Sequence, residues 1–281
     1  MTLREFYEKA AQKGVRGVAS SAAFRANHMR KELVKEAKRR TQGVLSPWRK
    51  GQVAMFHVGR SGSGVLGRCL KQHSQIYWGE EIFQYCREPY DPIAVLKEER
   101  LRAGRRYFGF EVKPFHLHHA PHSLPGHIDA LRRHGVEHFV LLRRKNLLRK
   151  LVSSITASQY TSHISSTEER KRMRVHVNVD RVGDRQKRPL RVQIDRYLDE
   201  YETVAQHIKG EHALHLTYED DIYENPLKAY GKVVDFLGEE YEEVEIKTKK
   251  TNPFPLHDLI ANFEEVEARL KGTEHEWMLY A

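Results

Sequence analysis

QVAMFHVGRSGSGVLGRCL, residues 52–70, is the stretch of sequence that decides the fold. Its apolar beginning predicts a short buried strand, a Gly/Ser turn that contains Arg60 follows, and the remainder predicts the start of a helix. Small residues allow backbone N–H groups to converge on a phosphate, and a helix N-terminus adds positive potential. The segment therefore predicts a phosphate-binding loop between a strand and a helix.

The loop departs from the Walker A motif, G-x-x-x-x-G-K-[ST], at the two positions that carry its chemistry. Gly59 and Gly64 have the required separation, but Val65 and Leu66 stand where the lysine and the Ser/Thr belong. That lysine contacts the β- and γ-phosphates, and the hydroxyl holds Mg²⁺. Arg60 supplies a cation inside the loop instead. The sequence therefore predicts an anionic nucleotide bound without a metal, and it disfavours a P-loop kinase.

Composition is typical of a globular protein with a polar surface, large enough for one large α/β domain or two small ones. The chain has 281 residues, of which 40% are hydrophobic and 31% charged, and its net charge is +10. Cys69 and Cys86 are too few for a disulfide framework or a zinc site, which favours a reducing compartment. No secretory signal and no apolar run of ~18–20 residues is present. We therefore expect a cytoplasmic protein without a membrane span.

Strand and helix patterns alternate over residues 51–281, which we predict to be one α/β domain. Strands are predicted at residues 53–58, 75–78, 107–112, 138–142 and 214–217, and helices at 65–73, 146–160 and 226–237. This alternation favours a central, mostly parallel sheet flanked by helices. Residues 1–50 are basic and predicted to form a helical N-terminal extension. Residues 163–191, charged and poor in apolar periodicity, predict a mobile insertion or lid.

A second strand-to-helix junction, HFVLLRRKNLLRKLVSS at residues 138–154, repeats the pattern of the first. An apolar strand leads into Arg143 and Arg144, Asn146 can cap the following helix, and Ser153 lies two turns into it. The fork of an arginine binds two oxygens of a terminal phosphate at once. Two such junctions in one domain predict a nucleotide with phosphates at two ends.

Three blocks, in this order, resemble the sulfotransferases that use 3′-phosphoadenosine 5′-phosphosulfate (PAPS). FHVGRSGSGVL is similar to their 5′-phosphosulfate loop, FVLLRRKNLLRKLVSS to their 3′-phosphate motif, and LHLTYEDDIYENPLKAYGKVVDFLG to a strand-turn-helix segment that ends in Phe-Leu-Gly. The C-terminal run PFPLHDLIANFEEVEARLKGTEHEW is similar to bacterial carbohydrate sulfotransferases, including the nodulation type. The resemblance implies a P-loop-like three-layer fold, PAPS as co-substrate, 3′-phosphoadenosine 5′-phosphate (PAP) as product, and a carbohydrate or glycolipid acceptor.

The resemblance also implies roles for the residues of the first loop. Arg60 stands where the family has the basic residue that meets the 5′-phosphate and the bridging oxygen. The residues that would wrap the phosphosulfate are Ser61, Gly62, Ser63, Gly64 and Val65.

For the 3′-phosphate, Arg143 and Ser153 match the family pair, and Arg144 is the alternative to Arg143. The spacing found in cytosolic members would instead pair Lys145 with Ser153. The Arg-Lys-Gly signature of those members is absent, and residues 249–251, Lys-Lys-Thr, are its candidate substitute. Which of the three basic residues binds the phosphate stays open at this point.

Sulfuryl transfer requires a base for the acceptor hydroxyl. Glu80 and Glu81, in YWGEEIF, follow the second predicted strand, near the edge of the sheet where ligands bind in open α/β folds. The resemblance to the family segment Gly-Glu-Ile-Phe points to Glu81. The alternatives are His116, His118 and His119 in PFHLHHAPH, for which no matching carboxylate or cysteine spacing indicates a metal site.

Two alternatives of other classes remain. Gly62, Gly64 and Gly67 fit G-x-G-x-x-G, and Glu80 stands near the place of a ribose-binding acid, as in an NAD(P)-dependent Rossmann oxidoreductase. Arg60 in the turn and the second basic junction count against it. The net charge also suits a non-enzymatic polyanion-binding module, but the chain lacks the basic-aromatic pattern of RNA-binding sheets. We therefore expect a small-molecule or glycan acceptor and no nucleic acid.

Overall fold

A computed structural model describes residues 49–84, 90–120, 122–160, 173–183, 187–247 and 254–281. The predicted N-terminal extension lies outside these residues except for its last two positions. The lysines and threonine of residues 249–251 and the side chains of His118 and His119 also lie outside the description.

The centre of the fold is a parallel sheet of five strands in the order β2-β3-β1-β4-β5. The strands are β1 (Gln52–Phe56), β2 (Ile76–Trp78), β3 (Tyr107–Val112), β4 (His138–Arg143) and β5 (Ala213–Thr217). Every neighbouring pair is parallel, with Phe56 opposite Val112 on one side and Leu141 on the other. The predicted strands and the parallel sheet are confirmed. All the carboxyl ends therefore meet at one edge.

Eight α-helices surround the sheet in the described part of the chain. They are α1 (Ser63–Leu70), α2 (Pro92–Glu99), α3 (Leu124–Arg133), α4 (Leu147–Tyr160), α5 (Leu190–His207), α6 (Pro226–Phe236), α7 (Leu256–Leu259) and α8 (Phe263–Leu270). Short 3₁₀ turns occupy Arg100–Ala103, Pro114–His119 and Glu276–Leu279, and a π-helical turn occupies Tyr218–Ile222. No helix in these described segments combines the length and apolar composition of a membrane span.

Strand β1 shows why the fold has three layers. Val53 and Met55 pack in one core with α1 and α6, whereas Ala54 and Phe56 pack in a second core with α3, α4 and α5. All four side chains are fully buried. A strand covered on both faces reads as a continuous apolar run, as residues 52–58 do. The predicted three-layer α/β architecture is therefore confirmed.

The predicted mobile insertion at residues 163–191 is wrong for the part that the structure describes. Val175, Val177 and Val179 are almost completely buried in the second core, and Val175 pairs with Ile260 in a parallel β-bridge. The alternation of these valines with polar residues is the pattern of an extended segment with one buried face. A search for helical periodicity overlooks this pattern.

Helix α5 begins at the end of that insertion and was not predicted. Its buried face consists of Leu190, Ile194, Tyr197, Tyr201 and Val204, which recur at spacings of three and four residues. The periodic signal for this helix is therefore present in the sequence. It is hard to see because the charged residues between these positions lower the mean hydropathy of the segment.

The strand order argues against the Rossmann alternative. In that fold the strand after the glycine-rich helix lies beside the first strand, so that its terminal acid reaches the ribose. Here β3 separates β2 from β1, and Glu80 pairs with Lys71 at the surface. Gly67 has a packing reason, because a Cβ there would lie 2.8 Å from Trp78 Nε1.

Candidate functional site

The loop between β1 and α1 has an unusual backbone conformation. Gly59, Arg60 and Gly62 have positive φ angles of 83°, 55° and 84°. A Cβ on Gly62 would lie 2.8 Å from both Ile222 Cγ2 and Tyr218 Cδ2, so only glycine fits there. Residues that alternate between left- and right-handed conformations form concave nests of N–H groups that bind anions. The loop is therefore a strong candidate for an anion site.

The N–H groups of this loop make few hydrogen bonds within the described part of the chain. The N–H of Gly59 donates to Nδ1 of His57 over 3.0 Å. Among the described residues, no acceptor receives the N–H groups of residues 60–64. Helix α1 begins at Ser63 and adds the positive potential of its N-terminus. A bound oxyanion would satisfy these donors.

The side chain of Arg60 connects the two predicted motifs. Its Nε donates to Ser153 Oγ over 2.9 Å, and its backbone oxygen accepts from Arg144 Nη1 at 2.5 Å. Desolvation lowers the pKa of the Arg60 guanidinium, while the neighbouring Tyr218 and Glu81 act in the opposite direction. The two motifs therefore meet at one place on the carboxyl edge of the sheet.

The structure separates the two adjacent glutamates. Glu80 has a positive φ of 60° and pairs with Lys71 on the exposed side of α1. Glu81 points the other way, with Oε1 2.5 Å from Lys113 Nζ and Oε2 3.6 Å from His116 Nε2. Because Lys113 lies against Gly59, Glu81 is the glutamate of this pair on the side of the loop.

Lys113 is a site residue that the sequence analysis missed. It follows β3 directly, and a Cβ on Gly59 would lie 3.4 Å from Lys113 Cε, so the lysine lies against the loop. Its ammonium group lies 5.5 Å from the centre of the Phe115 ring. A basic residue at the carboxyl end of a predicted strand was an available signal for this position.

At the second junction the structure distinguishes Arg144 from Arg143. Arg144 is largely buried, stacks 4.4 Å from the centre of the Tyr218 ring and contacts the first loop. Arg143 points toward α5, where its guanidinium lies 3.9 Å from Glu202. Lys145 is exposed and pairs with Asp220. Of these three, Arg144 is the residue that the fold brings to Arg60.

The start of α4 is already occupied by a carboxylate of the protein. Glu219 accepts from the N–H of Lys145 over 2.9 Å and from the N–H of Asn146 over 3.1 Å. The side chain of Asn146 caps the next turn by accepting from the N–H of Arg149, as expected from the sequence. Acidic side chains stabilise a helix N-terminus in this way. The second junction is thus closed where the first is open.

Tyr201 of α5 was also missed, and no local pattern could have found it. Its hydroxyl accepts from the N–H of Arg144 over 3.1 Å and lies 3.4 Å from Ser61 Oγ. Burial raises the pKa of Tyr201 to about 12, although hydrogen bonds to Ser61 and Arg144 oppose this shift. Tyr201 thus contacts both junctions, although it lies 140 residues after Ser61 in the sequence.

A cavity of about 580 Å³ lies beside the loop that follows β3. One wall is apolar and includes Phe115, the ring next to Lys113 and His116. The opposite wall is the polar face of α5, which includes Asp199 and Thr203. A pocket of this volume suits a ligand of drug or disaccharide size.

Comparisons with known proteins give similarity only at the level of solved structures. No family model and no curated protein matches the chain. A sulfotransferase from Alicyclobacillus acidocaldarius is 15% identical, covering 78% of this chain and 90% of its own, with a TM-score of 0.44. A mouse sulfotransferase complexed with PAP is 14% identical, covering 72% of this chain and 64% of its own, with a TM-score of 0.41. At these identities and TM-scores, the overlaps assign neither an activity nor a ligand to this chain.

Proposed function

We propose that this protein is a sulfotransferase that moves a sulfuryl group from PAPS to an acceptor hydroxyl. The observation that carries the proposal is the arrangement around the first loop. Open N–H groups and Arg60 lie on one side, Lys113 lies against the loop, and Glu81 pairs with Lys113. An anion loop, two cations and one carboxylate are the groups that in-line transfer to a hydroxyl requires.

The nucleotide is bound at both of its charged ends. The N–H groups of residues 60–64 and the side chain of Arg60 hold the 5′-phosphosulfate, as the sequence resemblance implies for Ser61–Val65. Arg144 and Ser153 hold the 3′-phosphate, and their contacts with Arg60 support this choice over Arg143. Leu66 replaces the hydroxyl that binds Mg²⁺ in Walker A loops. The reaction is therefore proposed to proceed without a metal.

The chemical step is a displacement at sulfur. The acceptor hydroxyl attacks, Glu81 takes its proton, and the new O–S bond forms as the bond between sulfur and the bridging oxygen breaks. The electron pair of the broken bond stays on the 5′-phosphate oxygen of PAP. Arg60 and Lys113 stabilise this developing negative charge in the transition state.

The acceptor is proposed to be a carbohydrate or glycolipid that enters through the cavity beside Phe115. The apolar wall fits the C–H face of a sugar ring, and the polar face of α5 offers partners for its hydroxyl groups. Since Lys113 lies close to the Phe115 ring and pairs with Glu81, a hydroxyl at the inner end of this cavity comes near the proposed base.

A thermal-shift experiment with PAP tests the nucleotide assignment. PAP is expected to raise the melting temperature in the presence of EDTA, whereas NADP and ATP with Mg²⁺ are expected to leave it unchanged. Radiolabelled PAPS offered with a panel of oligosaccharides and glycolipids then identifies the acceptor. No stabilisation by millimolar PAP and no transfer of label would refute the proposal.

A further inference from the structure

A histidine and a glutamate are buried together beneath the first loop. His57 follows β1, Glu111 belongs to β3, and their exposed fractions are 1% and 3%. His57 Nε2 lies 3.0 Å from Glu111 Oε2. Because the N–H of Gly59 donates to Nδ1, that nitrogen carries no proton, and Nε2 is the donor to Glu111. The imidazole therefore connects a buried carboxylate to the backbone of the loop.

Glu111 also lies near the other end of the loop. It accepts from Trp78 Nε1 over 3.0 Å, and Ser63, the first residue of α1, is close enough to lower its pKa. Burial raises the pKa of Glu111, but the hydrogen bonds from His57 and Trp78 and the nearby hydroxyl of Ser63 outweigh it, and the pKa falls to about 2. A buried carboxylate requires such partners to remain charged. The carboxylate of Glu111 thus orients His57, whose Nδ1 holds the N–H of Gly59.

The loop needs this support because its backbone is strained. Arg60 is a non-glycine residue with a positive φ of 55°, a conformation that persists only where the surroundings enforce it. Gly59, the residue directly before Arg60, is held by the buried pair. The side chains of the pair are too deeply buried to contact a ligand in the loop.

We propose that His57 and Glu111 are positioning residues, which fix the peptide of Gly59 so that the N–H groups of residues 60–64 converge on the anion. The consequence for catalysis rests on the proposed sulfotransferase function. Removing the bond to Gly59 leaves every ligand-contacting group present but displaces the loop. A displacement of ~1 Å can lower turnover by about 10²-fold.

Two substitutions of His57 separate the bond to the loop from the bond to Glu111. In His57→Asn, the amide oxygen stands near the place of Nδ1 and can accept from the N–H two residues later, as in an Asx turn. In His57→Gln, the amide reaches toward Glu111 but offers Gly59 no acceptor in that position. We expect His57→Asn to retain PAP affinity and His57→Gln to weaken it about tenfold, the size of one lost hydrogen bond.

His73 provides a matched control away from the loop. It is also buried, its Nδ1 accepts from the N–H of Gln75 over 3.1 Å, and its Nε2 bonds to the backbone oxygen of Glu240. His73→Asn and His73→Gln are expected to lower the melting temperature and to leave the Kd of PAP unchanged. Equal loss of affinity in both His57 variants, or wild-type affinity and turnover in His57→Gln, would overturn the proposal.

Amide hydrogen exchange provides a readout that needs no ligand. The N–H of Gly59 is expected to be protected in the wild type and in His57→Asn, and to exchange at least tenfold faster in His57→Gln. Unchanged exchange in His57→Gln would refute the positioning role.

If the wild type does not bind PAP, the proposed function fails, and this exchange pattern still decides the positioning role. If His57→Gln does not fold, Glu111→Leu tests the other member of the pair, because it removes the acceptor of His57 Nε2. Wild-type PAP affinity and unchanged exchange at Gly59 in that variant would refute the proposal.

Discussion

Two strand-to-helix junctions in this protein look alike in sequence and differ in the folded chain. The first, between β1 and α1, leaves the N–H groups of residues 60–64 without a described acceptor. The second, between β4 and α4, donates two N–H groups to Glu219. Each junction has a carboxylate nearby. Glu81 pairs with the side chain of Lys113, whereas Glu219 accepts hydrogen bonds from the backbone at the N-terminus of α4. A basic strand-to-helix pattern is therefore not sufficient to predict an open anion site.

Glu81, the carboxylate at the open first junction, provides the first test of the difference between the two junctions. Glu81→Gln removes the proposed base and is expected to lower kcat by about 10²–10⁴-fold, the usual contribution of general base catalysis. PAP affinity measured by calorimetry is expected to stay near that of the wild type. Glu80→Gln is the matched control, because Glu80 pairs with Lys71 at the surface. A larger loss in Glu80→Gln would assign the base to the neighbour.

The cation of the open junction comes next. Arg60→Ala is expected to lower kcat by about 10²–10³-fold, because one donor to the developing charge is lost. Ser153→Ala removes the partner of Arg60 Nε together with the proposed hydroxyl contact to the 3′-phosphate, so comparing its effects on kcat and on PAP affinity separates holding the arginine from binding the nucleotide. Steady-state kinetics with PAPS measures both variants. A near-normal rate in Arg60→Ala would contradict its proposed role.

The second junction contributes a side chain to the same site through Arg144. Arg144→Ala is expected to weaken PAP binding by about 10–100-fold, the size of a lost hydrogen bond to a charged group. Arg143→Ala is the matched control, because its guanidinium points toward Glu202. Titration of each variant with PAP and with AMP, which lacks the 3′-phosphate, locates the contact. Greater loss of PAP affinity in Arg143→Ala would reverse the assignment.

The support beneath the open junction predicts a pH dependence of stability. The pKa of Glu111 is about 2 in the folded protein and ordinarily 4.5. A lowered pKa means stability that is present above pH 4.5 and lost as the pH falls toward 2. The destabilisation of Glu111→Gln relative to the wild type should therefore shrink by about 2 kcal/mol between pH 6 and pH 3. Urea unfolding at both pH values measures it, and a constant difference would contradict the charged state of Glu111.

The smallest expected effect concerns the closed junction. Glu219→Ala frees the N–H groups of Lys145 and Asn146 and is expected to lower the free energy of unfolding by about 1 kcal/mol, as for other lost helix caps. PAP affinity is expected to change by less than about threefold. Urea unfolding and calorimetry measure the two quantities. PAP binding that becomes much tighter would show that this junction competes for phosphate.

Sequence reasoning located most elements because their signals are local. The five strands are short, mostly apolar runs bounded by turn residues, and the continuous runs in β1 and β3 are typical of strands buried on both faces. The segment at residues 173–183 was misjudged because its buried valines alternate at a period of two within a charged stretch. Helix α5 was overlooked although Ile194, Tyr197 and Tyr201 recur at helical spacing.

For the site, the sequence alone determined the loop with Arg60, the adjacent glutamates Glu80 and Glu81, and the basic run after β4, since each is a contiguous motif. Only the tertiary structure decided that Glu81 faces Lys113 and that Glu219 closes the second helix terminus. These choices depend on side-chain directions and on contacts between segments that are remote in the chain. They are fixed when parallel strands bring their carboxyl ends to one edge, and no local pattern encodes which side chain arrives there.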